Sequence, residues 1–160
     1  MTIAELDQGD EMLITQKLLD CCGSRNWVAR ILAARPFHNL ANLMKAATET
    51  WLQLDSTDWL EAFSRHPKIG ETGRVSQWSA QEQSGMSSAA ADVAARLAHM
   101  NRVYFDKFGW IFIVCATGKS AAEMLGLLES RLPNLPADEI RIAAVEQNKI
   151  TLLRLEKLLL

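Results

Sequence analysis

The sequence predicts an all-α protein, a compact irregular bundle of about seven to eight helices with no significant sheet. Three observations predict it. Apolar residues recur three and four positions apart through most of the chain. The breaks between those stretches carry glycine, proline or the short polar residues that start helices. The only strand-like run, "IFIVCA", has no obvious partner, and a lone strand is not stable, so it reads as extended chain or a buried turn between helices.

Taken in order, "DEMLITQKLLDCCGS" sets Met12, Leu13, Leu18 and Leu19 on a helix that Gly23 stops. "SRNWVARILAARP" starts on Ser24 as a cap and ends before Pro36. "FHNLANLMKAATETWLQL" puts Leu40, Leu43, Ala47, Trp51 and Leu54 on roughly one face. "STDWLEAFSRHP" opens on Ser or Thr and ends at Pro67, where a loop rich in glycine and polar groups runs to Trp78. Both "SAQE", from Ser79, and "SAAE", from Ser120, match the capping box, in which Ser and Glu satisfy two orphan amides. "SSAAADVAARLAHMNRVYFDKFG" is a long helix that stops at Gly109. The last, "PADEIRIAAVEQNKITLLRLEKLLL", has Pro136 near its start and acidic residues in its first turn.

The totals narrow the function. The 160 residues suit one domain, 1–160, with no linker or repeat, and 49% apolar with 22% charged residues is an ordinary globular balance. A net charge of -2 argues against nucleic acid as a partner. The longest apolar run, "WIFIVCA", is far short of a membrane span, and the acidic N-terminus lacks a secretory pattern. Cys21, Cys22 and Cys115 make a poor disulfide framework, which fits a reducing cytoplasm. Three histidines and no C-x-x-C give no metal site.

His66 is the first candidate for chemistry. Proline disfavours the α region in the residue before it, so His66 ends its helix and points into the glycine-bearing loop. The negative end of the helix dipole favours its charged form, and an imidazole near neutrality suits proton transfer. The bland alternative is a histidine that merely complements the dipole. Glu82 is a capping-box residue that could also meet a ligand beside free amides. Arg154 is either a solvated or snorkelling side chain, or a fork that faces a pocket and holds a carboxylate in two parallel hydrogen bonds. The 112–116 main chain is either a buried connector or a set of spare N–H and C=O groups for a polar ligand.

Other signals fail. "ATGKS" looks like the end of a phosphate loop, but its first glycine would stand at Ile113 and no βαβ context surrounds it. Cys115 reads as a small buried hydrophobe. His38 and His99 fall in helical stretches as surface or packing residues. Ser84, Ser87 and Ser88 lack a nucleophile elbow.

"SRHPKIGE" from Ser64, "SAQEQSGM" from Ser79, "NRVYFDKFGWIFIVCATGKS" from Asn101 and "RLPN…E…AVEQNKITLLRL" near the C-terminal end together resemble the OHCU decarboxylase family, where OHCU is 2-oxo-4-hydroxy-4-carboxy-5-ureidoimidazoline. The resemblance runs from about Asp10 to Leu155. It implies an all-α enzyme, commonly a homodimer, that converts this ureidoimidazoline to (S)-allantoin and carbon dioxide with no metal or organic cofactor. It makes His66, Glu82 and Arg154 the catalytic residues. It gives substrate contacts to Pro67, Ser79, Ala80, Gln81, Glu82 and Gln83, and to the main chain of Phe112, Ile113, Val114, Cys115 and Ala116. Two positions depart from the family's pattern: Trp110, where a smaller aromatic is expected, and Lys119, where Arg is acceptable. The competing expectations are a non-catalytic helical interaction module, favoured by the "LLRLEKLLL" tail, and a related lyase acting on another ureide.

Overall fold

The computed structural model describes residues 1–66 and 88–159. Among them are eight helices and no strand: α1 (Ile3–Gln8), α2 (Glu11–Cys21), α3 (Arg25–Ala33), α4 (Leu40–Gln53), α5 (Ser56–Ser64), α6 (Ser88–Phe108), α7 (Ala121–Arg131) and α8 (Pro136–Leu158). The expected all-α class is therefore observed. The chain divides into one unit of residues 1–65 and 144–160, and a second of 66–143, with α8 contributing to each.

In the first unit every helix start is chemically specified. Thr2 and Glu5 form a reciprocal capping box on α1. Asp10, Ser24, Asn39 and Asp55 each accept a backbone N–H at the start of α2, α3, α4 and α5. The α5 cap is thus Asp55, one residue before the expected Ser or Thr. The α2 core face is Ile14, Leu18 and Cys21, whereas Met12 and Leu13 stand exposed. The α4 face is as expected, with Leu43, Ala47, Trp51 and Leu54 buried and Leu40 at its margin.

Tryptophan N–H groups link this core to the backbone. Trp27 Nε1 donates to the Ala47 carbonyl at 3.1 Å, Trp51 Nε1 to that of Ala144 at 2.8 Å, and Trp59 Nε1 to that of Trp51 at 3.0 Å. His38 is not helical. It lies in the α3–α4 connection at φ 71, and its N–H and that of Phe37 donate to the Asp7 carboxylate. The Asp7 anchor thus overrides the helical pattern there.

The second unit pairs α6 with α7, and Leu97, Met124 and Leu128 on these helices are wholly buried. α6 ends as predicted at Gly109, whose φ of 85 suits glycine and whose N–H returns to the Phe105 carbonyl. Ser120 caps α7 by accepting from the Glu123 N–H. Its hydroxyl also meets the Glu123 carboxylate at 3.3 Å.

Candidate functional site

His66 follows directly on α5. The helix ends at Ser64, Arg65 is its C-cap, and the half-buried His66 begins the next bend. This agrees with a helix that stops short of Pro67. Gly23, expected only as a helix stop, has a second role: a Cβ there would lie 2.3 Å from Arg65 Cδ and 2.9 Å from Arg65 Cβ. The absence of a side chain lets the residue before His66 pack closely.

Arg154 lies half-buried on α8 in the first unit. Its Nη1 approaches the carbonyls of Asp20 and Cys21 at 3.4 and 3.5 Å, at the C-terminus of α2. That end of a helix dipole favours a cation. Burial pushes the Cys21 thiol up to about 11, opposed in part by the Arg154 charge, and burial likewise pushes Cys22 up to about 11. Neither is a thiolate nucleophile near neutral pH.

The 112–116 segment belongs to the second unit and is neither helix nor strand. Phe112, Ile113, Val114 and Cys115 are buried, Cys115 as the small hydrophobe expected, and Ala116 is half-buried. Arg131 Nη1 donates to the Ile113 carbonyl at 2.8 Å, and Lys119 Nζ to the Cys115 carbonyl at 2.9 Å. A turn returns Lys119 to the segment: its N–H bonds the Ala116 carbonyl, and Gly118 takes φ 75 inside that turn. The glycine of "ATGKS" serves this turn.

Behind the segment lies a buried charged cluster. The Arg131 guanidinium donates to Glu139 from Nη2 at 2.6 Å and from Nε at 3.0 Å, a two-pronged ion pair, with Glu139 wholly buried. The Tyr104 hydroxyl donates to the same carboxylate and accepts from Trp110 Nε1 at 3.1 Å. Asn134 Nδ2 donates to Glu139 at 3.2 Å. The Arg131 guanidinium also lies 4.5 Å from the Phe112 ring centre. Burial first, and then the Glu139 contact, push the Tyr104 phenol well above its ordinary value, so it stays a hydrogen-bond donor.

Of the expected site residues, Pro67, Ser79, Ala80, Gln81, Glu82 and Gln83 lie outside the described residues, as do the "SAQE" cap and the loop after Pro67. The residues that sequence reasoning missed are Arg131, Glu139 and Tyr104. In sequence Glu139 reads as one of the first-turn acids that suit the helix dipole, and "RLPN" carries Arg131 with no local sign of a partner eight residues on. The departures do have contacts, since Trp110 bonds Tyr104 and Lys119 holds Cys115.

The class so defined is an all-α protein whose second unit fixes an irregular main-chain segment against a buried ion pair. The chain matches the OHCU decarboxylase family over residues 8–156. It is 41% identical over 145 residues to the uric acid degradation bifunctional protein TTL of Arabidopsis thaliana, covering 86% of this chain and 45% of that protein. It is 28% identical over 161 residues to the 2-oxo-4-hydroxy-4-carboxy-5-ureidoimidazoline decarboxylase of Halalkalicoccus jeotgali, covering 99% and 92%. A crystal structure of OHCU decarboxylase in the presence of (S)-allantoin superimposes with a TM-score of 0.77 at 38% identity, over 94% of this chain and 98% of that one. The chain spans less than half of the Arabidopsis protein's length and nearly all of the other two. It belongs to the OHCU decarboxylase family.

Proposed function

We propose that this chain is the carboxy-lyase its family names, converting 2-oxo-4-hydroxy-4-carboxy-5-ureidoimidazoline to (S)-allantoin and carbon dioxide in urate degradation. The observation that carries this is the family match, which runs from residue 8 to 156 through both units. The same continuity supports treating 1–160 as a single functional domain.

The chemistry follows from the substrate. Its carboxylated carbon bears a hydroxyl and adjoins a ring C=N bond. When the bond to the carboxylate breaks, carbon dioxide leaves and the electron pair shifts toward the imine, whose nitrogen takes a proton. The substrate is its own electron sink, so the protein has only to supply orientation and proton traffic. The planar enol then loses its hydroxyl proton as the carbonyl forms, and the ureido-bearing carbon gains one. Delivery to one face gives the (S) product.

In this reading His66 is the general acid–base group at the hydroxyl. Glu82 holds ring or ureido N–H groups and favours the charged imidazole. Arg154 orients a carbonyl or ureido oxygen, because a tight grip on the departing carboxylate would stabilise the ground state and slow its loss. Pro67, Ser79, Ala80, Gln81 and Gln83 line the site, with the main chain of 112–116 binding the ring and ureido groups. What supports the roles of His66 and the 112–116 segment is their local setting: an imidazole just past a helix C-terminus, and an irregular segment with peptide groups outside any helix or sheet. We infer a cytoplasmic homodimer acting on a small molecule, without nucleic acid or membrane as partner. No helix among the described residues is long and apolar enough to cross a membrane.

The test is His66→Ala, with folding checked by circular dichroism and freshly generated substrate followed by optical rotation. The variant is expected to lose about 10²–10⁴ of the acceleration over spontaneous decay. Wild-type turnover in a folded variant removes His66 from the mechanism.

A further inference from the structure

We propose that Lys119 and Arg131 are positioning residues that set the 112–116 main chain at the spacing the substrate requires. The proposal rests on the reading that this segment binds the ureide. Its own observations are geometric. Two cations, from different elements, hold carbonyls two residues apart: Arg131 from the end of α7 on Ile113, and Lys119 from the turn before α7 on Cys115. Successive carbonyls of a non-helical chain point in different directions, so two ties at every second residue fix the segment along one side only. Among the described residues, no hydrogen bond engages the main chain of Phe112 or Val114.

The Arg131 tie is itself anchored. Glu139 fixes the guanidinium through Nε and Nη2, which leaves Nη1 aimed at Ile113. Tyr104 and Asn134 fix Glu139 in turn, and Trp110 fixes Tyr104. A buried charge pair is a weak source of net stability, since desolvation offsets most of the attraction. Here it has a geometric product, a main chain held in place from behind. Lys119 does the same from the half-buried side with a single ammonium, and the turn at Gly118 brings it back onto the segment. A cyclic ureide presents in-plane N–H and C=O groups at fixed spacing. A segment with two locked peptides meets that pattern without ordering itself at each binding event.

The test compares wild type with Lys119→Met, Lys119→Arg and Arg131→Lys. Steady-state kinetics with fresh substrate is read together with thermal midpoint and with amide hydrogen exchange over 112–116, with and without (S)-allantoin. In wild type, allantoin slows exchange across the segment. Lys119→Met, whose lost bond is only part-buried, lowers the midpoint by no more than a few degrees, raises KM about three- to tenfold with kcat nearly unchanged, and loses the allantoin-dependent protection, the scale of one misplaced hydrogen bond. Lys119→Arg restores both. Arg131→Lys changes them in the same direction and also lowers the midpoint.

If Lys119→Met and Arg131→Lys keep wild-type KM and protection, whatever their midpoints, the cluster is structural only and the proposal is wrong. If wild type makes one allantoin enantiomer quickly but allantoin leaves exchange at 112–116 unchanged, the segment is not the binding site and the proposal falls with it. A wild type that leaves slow racemic decay unaltered fails earlier, at the decarboxylase reading, and takes the proposal with it.

Discussion

Replacing Glu139 by leucine tests the buried cluster directly. The Glu139 carboxylate is wholly buried and accepts from Arg131, Tyr104 and Asn134. Leucine is similar in size, so the change leaves no large void. It does leave the Arg131 guanidinium, whose side chain is only 9% exposed, without a counter-charge. Removing one partner of a buried pair is expected to be destabilising by about 3–5 kcal/mol. In a chain of this length about 1 kcal/mol moves the melting midpoint by roughly 2–4 °C, so the loss is about 6–20 °C. The double variant Arg131→Met with Glu139→Leu removes both charges. It strands the Ile113 carbonyl, at about 1–3 kcal/mol, but no longer buries an ion. Its loss should therefore be smaller than that of Glu139→Leu alone. Urea and thermal unfolding followed by circular dichroism measure all three proteins, with Arg131→Met closing the cycle. A Glu139→Leu protein within about 1 kcal/mol of wild type would refute the reasoning. So would a double variant whose loss equals the sum of the two single ones.

Two further outcomes follow from the first unit. The Glu61 carboxylate accepts the Arg25 backbone N–H at 2.8 Å at the start of α3, and that bond, ahead of the guanidinium contact, holds its pKa below the ordinary glutamate value of 4.5. A depressed folded value gives stability that is present above about pH 4.5 and fades as pH falls through the folded value; Glu61→Gln should lose about 0.5–1 kcal/mol at pH 7, the scale of an exposed and solvent-screened contact, and progressively less as pH falls below 4.5, and a loss that does not change with pH would exclude the linkage. For the proposed dimer, Leu40, Met44, Leu152 and Leu153 line an apolar groove between α4 and α8, with Lys149 and Glu156 on the same α8 surface, a pattern that a two-fold copy can complement; Leu153→Lys should halve the mass seen by sedimentation, and a wild type that sediments as a monomer would overturn the proposal.

Much of the first unit was legible because its signals are local. Ser24 before "RNWVARILA" is a cap that needs no tertiary information, and the α4 face from Leu43 to Leu54 is a plain helical stripe. α8 was harder to read. Its buried stripe runs Glu139, Ala143, Gln147, Thr151 and Leu155, in steps of four, while Ile142 and Val145 stand exposed. Hydrophobicity alone therefore assigns this helix the wrong face, because its inner positions hold small and polar residues that pair. Gln147 Nε2 bonds Thr151, and Glu139 bonds Arg131. Met12 and Leu13 mislead in the opposite sense, apolar letters on an exposed surface. The His66 and 112–116 expectations came from proline and from an unpaired apolar run, both local. The Arg131–Glu139 pair had no such sign, since each residue has an ordinary local explanation and only the turn from α7 into α8 brings them together.

The irregularity of 110–116 and the charge behind it are one physical problem. Residues such as Phe112, Ile113 and Val114 favour strands, and a peptide outside helix or sheet leaves donors and acceptors without ladder partners. Such a run gains by pairing with any available strand edge. Solvating all of its carbonyls inside the protein would prevent that and would also leave nothing for a ligand. Tying Ile113 and Cys115 to fixed cations, while the Phe112 ring packs against Arg131, satisfies two of its carbonyls and fixes them in place. The cations must not move, and a lone buried guanidinium would. The wholly buried Glu139, itself held by Tyr104 and Asn134, is what makes the Arg131 tie rigid enough to be useful. On the proposed reading, the backbone surface that meets the ureide rests on this polar core. This gives a physical reason for a buried ion pair at a place where well-packed leucines would give equal or greater stability.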